Sequence, residues 1–180
     1  LNRPLRVWSA ACSTGQEPYS LSMEIEEYKK QFPGKLMAGE RILATDISPT
    51  SLAIAKEGVY QQLSIQRGMN EDYLKSYFDK DDRGHWRIKE SIKSRVEFRS
   101  QNLQQSYALL GKFDIIFCRN VLIYFSSDLK QDILTRMHAC LNPGGYLMLG
   151  SSEIMNNLSA FYETVKCRST VVYKAKKLDA

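Results

Sequence analysis

The segment Arg6-Val7-Trp8-Ser9-Ala10-Ala11-Cys12-Ser13-Thr14-Gly15-Gln16-Glu17-Pro18-Tyr19-Ser20 constrains this chain more than any other. Val7 and Trp8 are strand formers. From Ser9 to Gly15 the side chains are small, so the backbone can approach a ligand closely, and Gly15 can take the positive φ that such a turn needs. Glu17-Pro18 then opens an apolar-periodic helix with Pro18 in its first turn. A strand that breaks into a small-residue turn and resumes as a helix is the building unit of an α/β sheet. The crevice at that junction is where nucleotide-like ligands bind.

The turn is not a phosphate cradle. It lacks both Gly-x-x-x-x-Gly-Lys-Ser/Thr and Gly-x-Gly-x-x-Gly, and Glu17 stands where a phosphate would need a cation. An acidic loop suits a ligand that is cationic and free of phosphate. S-adenosylmethionine has both properties, with its positive sulfonium and its ammonium group.

At 180 residues the chain is expected to form one domain around one substantial core, and its 43% hydrophobic content is that of a folded protein. No apolar run approaches the roughly 20 residues needed to cross a bilayer, and no signal peptide opens the chain. Cys12, Cys118, Cys140 and Cys167 are far apart, with no C-x-x-C spacing and only two histidines beside them. Reduced thiols in a cytoplasmic protein are expected, with neither a metal site nor a disulfide framework. The net charge of +5 is concentrated in two places, the run Arg83 to Arg99 and the tail with Lys166, Arg168, Lys174, Lys176 and Lys177. Acidic residues interrupt the first and the second is short, so an acidic protein surface fits better than nucleic acid.

Strand and helix signals alternate along the chain. Strands are expected at Leu5 to Ala10, Arg41 to Asp46, Phe113 to Cys118 and Tyr146 to Leu149. Helices are expected from Pro18 to about Lys30, from Ser48-Pro49 to the stop at Gly58, and from Ser126-Ser127-Asp128 to Leu141. Asn142-Pro143-Gly144-Gly145 reads as the terminator of the last helix. The pattern predicts a doubly wound, Rossmann-like α/β sheet. Gln61 to Glu97 interrupts it. There a helix around Asn70 to Phe78 precedes the turn Asp79 to Gly84, flanked by Trp86 to Lys89 and Arg95 to Phe98. Both flanks alternate polar and apolar residues, as half-exposed antiparallel strands do, so a small β-insertion is expected. The Asp-rich turn has calcium-like offsets, but Arg83 occupies a ligand position and the flanks are not helices.

In such a sheet the strand ends converge, and here each carries a polar group. Glu17 follows the first strand. Asp46 ends the second, where a carboxylate can accept hydrogen bonds from both ribose hydroxyls. Asn102-Leu103 follows a strand around Glu97 to Arg99, offering an amide and an apolar face to an adenine. Arg119-Asn120 follows the fourth strand, with Tyr124 shortly after.

The first block, Ala-Thr-Asp-Ile-Ser at 44–48, Phe-Cys-Arg-Asn-Val-Leu-Ile-Tyr-Phe at 117–125 and Leu-Asn-Pro-Gly-Gly-Tyr-Leu at 141–147 resemble the CheR family over essentially the whole chain. These are S-adenosylmethionine-dependent methyltransferases that act on chemoreceptor glutamates. The resemblance implies that Glu17, Asp46, Asn102, Leu103, Arg119 and Asn120 contact the cofactor and that Tyr124 lies near the transferred methyl. It also implies that residues 61–97 are a receptor-engaging β-subdomain, and that the partners are the cytoplasmic domains of chemoreceptors. Family members carry an N-terminal helical domain and a Thr-x-Phe-Phe-Arg stretch with an active-site arginine. Nothing like these precedes Leu1, so the chain is expected to hold the catalytic fold alone, as a monomer without membrane insertion or nucleic-acid binding.

A glutamate carboxylate, with a pKa of about 4.3, is already a nucleophile at neutral pH and needs no general base. What remains is alignment and exclusion of water. Arg119 and Tyr124 are the candidates for guiding the carboxylate, with cofactor binding the alternative role for Arg119. Two other readings stay open: a non-catalytic S-adenosylmethionine-binding receptor adaptor, and a class I methyltransferase acting on RNA or a small molecule. The insertion carries Arg83, Arg87, Lys89 and Lys93, expected to steer acidic receptor helices directly, without a tethering peptide.

Overall fold

Four consecutive residues, Val7 to Ala10, are buried in the first strand, β1 (Leu5–Ala10), as both faces of a central parallel strand must be. The computed structural model describes residues 2–65, 69–153, 158–168 and 170–177. After β1 come α1 (Gln16–Gln31), β2 (Glu40–Asp46), α2 (Pro49–Glu57) and β3 (Val59–Tyr60). The short helices α3 (Gln62–Ile65) and α4 (Glu71–Tyr77) precede β4 (Phe78–Lys80), β5 (Trp86–Ile88) and α5 (Glu90–Lys93). The second half runs β6 (Val96–Ser100), β7 (Phe113–Cys118), a 3-10 turn at Leu122–Tyr124, α6 (Ser127–Cys140), β8 (Leu141–Leu149), β9 (Tyr162–Cys167) and β10 (Thr170–Ala175).

Seven strands form one sheet in the order β6-β2-β1-β7-β8-β10-β9, and β3-β5-β4 form a second, antiparallel one. In the large sheet β6, β2, β1, β7 and β8 are parallel, while β10 runs antiparallel to β8 and β9. Leu43 of β2 joins the core beneath α6, and its neighbour Ala44 packs with Leu52 of α2. Adjacent strand residues face opposite ways, so α6 and α2 cover opposite faces of a doubly wound sheet. Trp8 anchors the larger core against Tyr107 and Phe113, and its indole N–H donates to Thr45 Oγ1 at 2.9 Å.

A second core binds the small sheet to α1. Tyr19 and Met23 of α1 pack with Tyr60, Leu74, Tyr77, Phe78, Ile88 and Ile92. Two buried hydroxyls fix the contact: Tyr19 donates to the Ala55 carbonyl at 2.7 Å, and Ser22 to that of Ile92 at 2.8 Å.

Four features differ from the sequence expectation or add to it. Residues Val96–Ser100 do not join the small sheet; they pair in parallel with Ile42–Asp46 at the edge of the large one. Alternation reveals a half-buried strand but not its partner, and Val96 and Phe98 pack beside Ala44 and Leu52. The small sheet also begins at Val59, before the expected boundary at Gln61. Next, Leu141 already pairs with Phe113, and Tyr146 with Ile115, so Asn142 to Gly145 form a bulge inside β8 rather than a loop before it. Asn142 pins the bulge by donating to Asp114 at 2.9 Å. Finally, the basic tail is the β9–β10 pair, with Lys166 and Lys174 on its strands.

Candidate functional site

The chain leaves β1 to build β2 and β6 on one side, then crosses to β7 and β8 on the other, so β1 and β7 flank the topological switch point. One charged residue arrives from each side of it. Glu17, on the first turn of α1, and Arg119, just past β7, pair at 3.3 Å between Oε2 and Nη1. The other Glu17 oxygen accepts from the buried Ser9 hydroxyl at 2.8 Å. Burial raises the Glu17 pKa above the ordinary carboxylate value, and the Ser9 hydrogen bond and the Arg119 charge only partly oppose it.

The turn between β1 and α1 is wound tightly, with positive φ at Ala11, Ser13 and Gly15. Only glycine suits the last of these. Its φ is +92°, and an added Cβ would lie 2.8 Å from the Ala55 Cβ of α2. The Cys12 N–H donates to the Thr45 carbonyl at 2.9 Å, and the Tyr60 hydroxyl to that of Thr14 at 2.8 Å. Asp46 ties the end of β2 to the same turn: its Oδ2 accepts from the Ser13 N–H at 2.8 Å and its Oδ1 from that of Ser48 at 2.9 Å. Burial, with the nearby Asp46 charge second, pushes the Cys12 thiol up to about 12, so it is no thiolate at neutral pH.

The other sequence candidates are placed unequally. Asn102 lies just past β6, its Oδ1 accepting from the Gln104 N–H at 2.9 Å. Leu103 follows with its side chain turned inward. It packs in the core with Trp8, Tyr107 and Leu110, so a cofactor contact there would come through its main chain. An apolar residue after a strand reads the same in either role. Asn120 follows Arg119 in a left-handed conformation, φ +59°. Tyr124, on the 3-10 turn, is 78% exposed and its hydroxyl has no hydrogen bond among the described residues. The structure thus brings Glu17, Asp46 and Arg119 to one set of strand ends, with Asn102 and Asn120 beside them, and leaves Tyr124 projecting from the rim.

Sequence reasoning missed Ser9, Tyr60 and Glu153. Ser9 sits inside a strand that reads simply as buried. Glu153 lies in Gly150-Ser-Ser-Glu153, just past the last strand that was read. Its side chain accepts main-chain hydrogen bonds from Asn120, Val121, Leu122 and Gly150. A glutamate three residues after a glycine at a strand end was the available signal.

The model of the family described as CheR methyltransferase, SAM binding domain, matches residues 1–171. The chain belongs to this family. It is 56% identical over 172 residues to chemotaxis protein methyltransferase 1 of Pseudomonas aeruginosa, covering 96% of this chain and 63% of that protein. It is 55% identical to chemotaxis protein methyltransferase Cher2 of Pseudomonas putida, covering 96% and 62%. The chain therefore spans about three-fifths of the length of these relatives. Among solved structures, a TehB-like SAM-dependent methyltransferase from Corynebacterium glutamicum superposes with a TM-score of 0.55 at 14% identity, over 97% of this chain and 81% of that one. That likeness is one of fold.

The cofactor of a CheR SAM-binding domain is S-adenosylmethionine, and the donor set suits it. Each Asp46 oxygen keeps an acceptor lone pair after its main-chain hydrogen bond, which is what a ribose diol requires. Glu17 is a half-buried carboxylate whose charge desolvation disfavours, so a cationic ligand stabilises it. No phosphate-binding pattern competes for the turn.

Proposed function

We propose that this domain transfers the methyl group of S-adenosylmethionine to glutamate side chains of chemoreceptor cytoplasmic domains, forming glutamate methyl esters. The observation that carries the reading is that the cleft carboxylates are already engaged, Glu17 with Arg119 and Ser9 and Asp46 with the Ser13 and Ser48 N–H groups, leaving no uncommitted side-chain base among the described residues of the cleft. The Cys12 thiol is pushed up to about 12. His85 faces Asp81 in the turn of the small sheet, and His138 lies on α6 against the Lys176 carbonyl. A cleft whose carboxylates are committed elsewhere favours a nucleophile that is ionised before it arrives, and a glutamate carboxylate is one. The names of the curated relatives, chemotaxis protein methyltransferases, support the same reading.

When bound, the cofactor supplies an electrophilic methyl on a sulfonium. In this reading Asp46 holds the ribose, Asn102 the adenine side, and Glu17 the cationic end. Arg119 and Tyr124 orient the incoming carboxylate. A strong, dry ion pair with Arg119 would stabilise the ground state and cost rate. Arg119 is half-exposed and already shared with Glu17, which weakens such a pair, while Tyr124 offers a neutral donor. The small sheet is the receptor-facing part.

The test incubates the protein and labelled S-adenosylmethionine with receptor cytoplasmic fragments and, separately, with bulk RNA. Base-labile methyl esters on the receptor, absent after glutamate-to-alanine replacement at its methylation sites, are expected. Label appearing in RNA instead contradicts the proposal. Tight cofactor binding without transfer to either would leave a non-catalytic adaptor.

A further inference from the structure

Asn120, Val121 and Leu122 aim three consecutive main-chain N–H groups at one side chain. Glu153 Oε2 accepts from Asn120 at 2.8 Å, and Oε1 from Val121 and Leu122 at 2.9 and 2.7 Å. Oε2 takes a fourth hydrogen bond from Gly150 at 2.7 Å. Glu153 is only 8% exposed, and no lysine or arginine of the described residues pairs with it. Buried carboxylates are normally matched by a cation; this one is matched by a nest of main-chain donors.

The nest joins two strand ends. Asn120 to Leu122 lie just past β7, and Gly150 just past β8. The turn that returns Glu153 over Gly150 closes with the Glu153 N–H on the Gly150 carbonyl at 2.9 Å. Gly150 leaves the space: an added Cβ would lie 2.5 Å from Asn120 Oδ1 and 2.6 Å from Glu153 Oε2. The segment gripped this way begins next to Arg119, whose guanidinium meets Glu17 across the switch point, and ends in the turn that carries Tyr124. The left-handed backbone at Asn120 gives the chain its bend there.

We propose that Glu153 is a positioning residue of the methyl-transfer site, its carboxylate and Gly150 forming one clamp that sets the Arg119–Tyr124 segment against Glu17. The inference rests on the functional reading above. It assigns Glu153 no contact with cofactor or substrate. Losing the carboxylate leaves three neighbouring donors without an acceptor, so the segment turns to find water and carries Arg119 and Asn120 with it. A glutamine cannot substitute, because in either orientation its NH2 group would face two of the four donors.

The experiment measures S-adenosylhomocysteine binding by calorimetry, well below each variant's melting temperature, for the wild type, Glu153→Gln, Glu153→Asp and Gly150→Ala. Glu153→Gln should lose affinity by about tenfold or more while melting cooperatively, and Glu153→Asp, which keeps two acceptor oxygens, should recover part of that loss. A role in stability alone would lower the melting temperature and leave the folded protein's affinity at the wild-type value; that result overturns the inference. If Glu153→Gln does not fold, Gly150→Ala carries the test with Glu153 in place. A loss of about tenfold or more supports the clamp, and wild-type affinity overturns it. Failure of the functional reading looks different: wild-type protein that binds S-adenosylhomocysteine but methylates no receptor fragment.

Discussion

The cleft of the large sheet and the surface of the small one use charge in opposite ways. In the cleft, carboxylates are held by main-chain N–H groups: Asp46 by Ser13 and Ser48, Glu153 by the segment after β7. In the small sheet, cations and carboxylates are interleaved, and two of the lysines are tied to carbonyls. Lys89 donates to the carbonyls of Lys75 and Ser76 at the end of α4, and Lys93 to that of Glu57 at the end of α2. Lysines so placed cap helix C-termini. Of the four cations expected to steer a receptor, only the guanidinium groups of Arg83 and Arg87 are without a partner among the described residues. A small ligand needs acceptors fixed to within fractions of an ångström, and backbone-anchored carboxylates give that. A large acidic partner needs only a field, which exposed arginines can supply.

Changing Gly15 should have the largest effect, since it damages the cleft at its origin. Gly15→Ala adds about 1–2 kcal/mol of left-handed strain and about 1–3 kcal/mol of overpacking against Ala55. Urea unfolding should show a loss of that combined order together with weakened S-adenosylhomocysteine binding. An unchanged midpoint would mean that the turn is not wound as described.

Asp46→Ala comes next. Charge-assisted hydrogen bonds contribute roughly 1.5–3 kcal/mol each, so losing those to a ribose should weaken S-adenosylhomocysteine binding by at least about tenfold. The Ser13 and Ser48 N–H groups can turn to water at this half-exposed position, so the domain should still fold.

Glu17 gives a smaller effect with opposite signs for stability and binding. Burial raises its pKa in the folded chain, so the folded state holds this proton more tightly than the unfolded one. The stability it contributes is full below the ordinary carboxylate range and is lost as pH rises through the raised pKa. Glu17→Gln should therefore raise the melting temperature at neutral pH while weakening S-adenosylhomocysteine binding. In the wild type, affinity should fall as pH drops through the same window. A variant less stable than wild type at neutral pH would refute the assignment.

Reversing Arg83 and Arg87 together to glutamate should have the mildest effect. Exposed charges act through a screened field, so KM for a receptor fragment should rise only by roughly threefold, and less at high salt. A salt-independent change would point to direct docking at these residues.

The cleft was largely legible in the sequence and the small sheet less so, for physical reasons. A strand, a small-residue turn and a helix are local events, so Glu17, Asp46, Arg119 and Asn120 could be placed from turn chemistry and strand ends alone. Glu153 lies 33 residues from Asn120; the glycine three residues before it marks a turn, but no local pattern reports which distant donors the side chain reaches. Val96–Ser100 shows why alternation is insufficient: period two marks one buried face but not which sheet receives it. Lys89 and Lys93 read as free surface charges because the helix ends that they cap belong to other segments.

The proposed division gives cofactor recognition to the strand-end carboxylates and receptor recognition to the exposed arginines. The most direct test measures both affinities on both variants: S-adenosylhomocysteine binding by calorimetry and KM for a receptor cytoplasmic fragment, for Asp46→Ala and for the Arg83→Glu, Arg87→Glu double variant. Asp46→Ala should lose S-adenosylhomocysteine affinity by at least about tenfold while the double variant binds it like the wild type and shows only the raised receptor KM. Wild-type S-adenosylhomocysteine affinity in a folded Asp46→Ala protein would contradict the account.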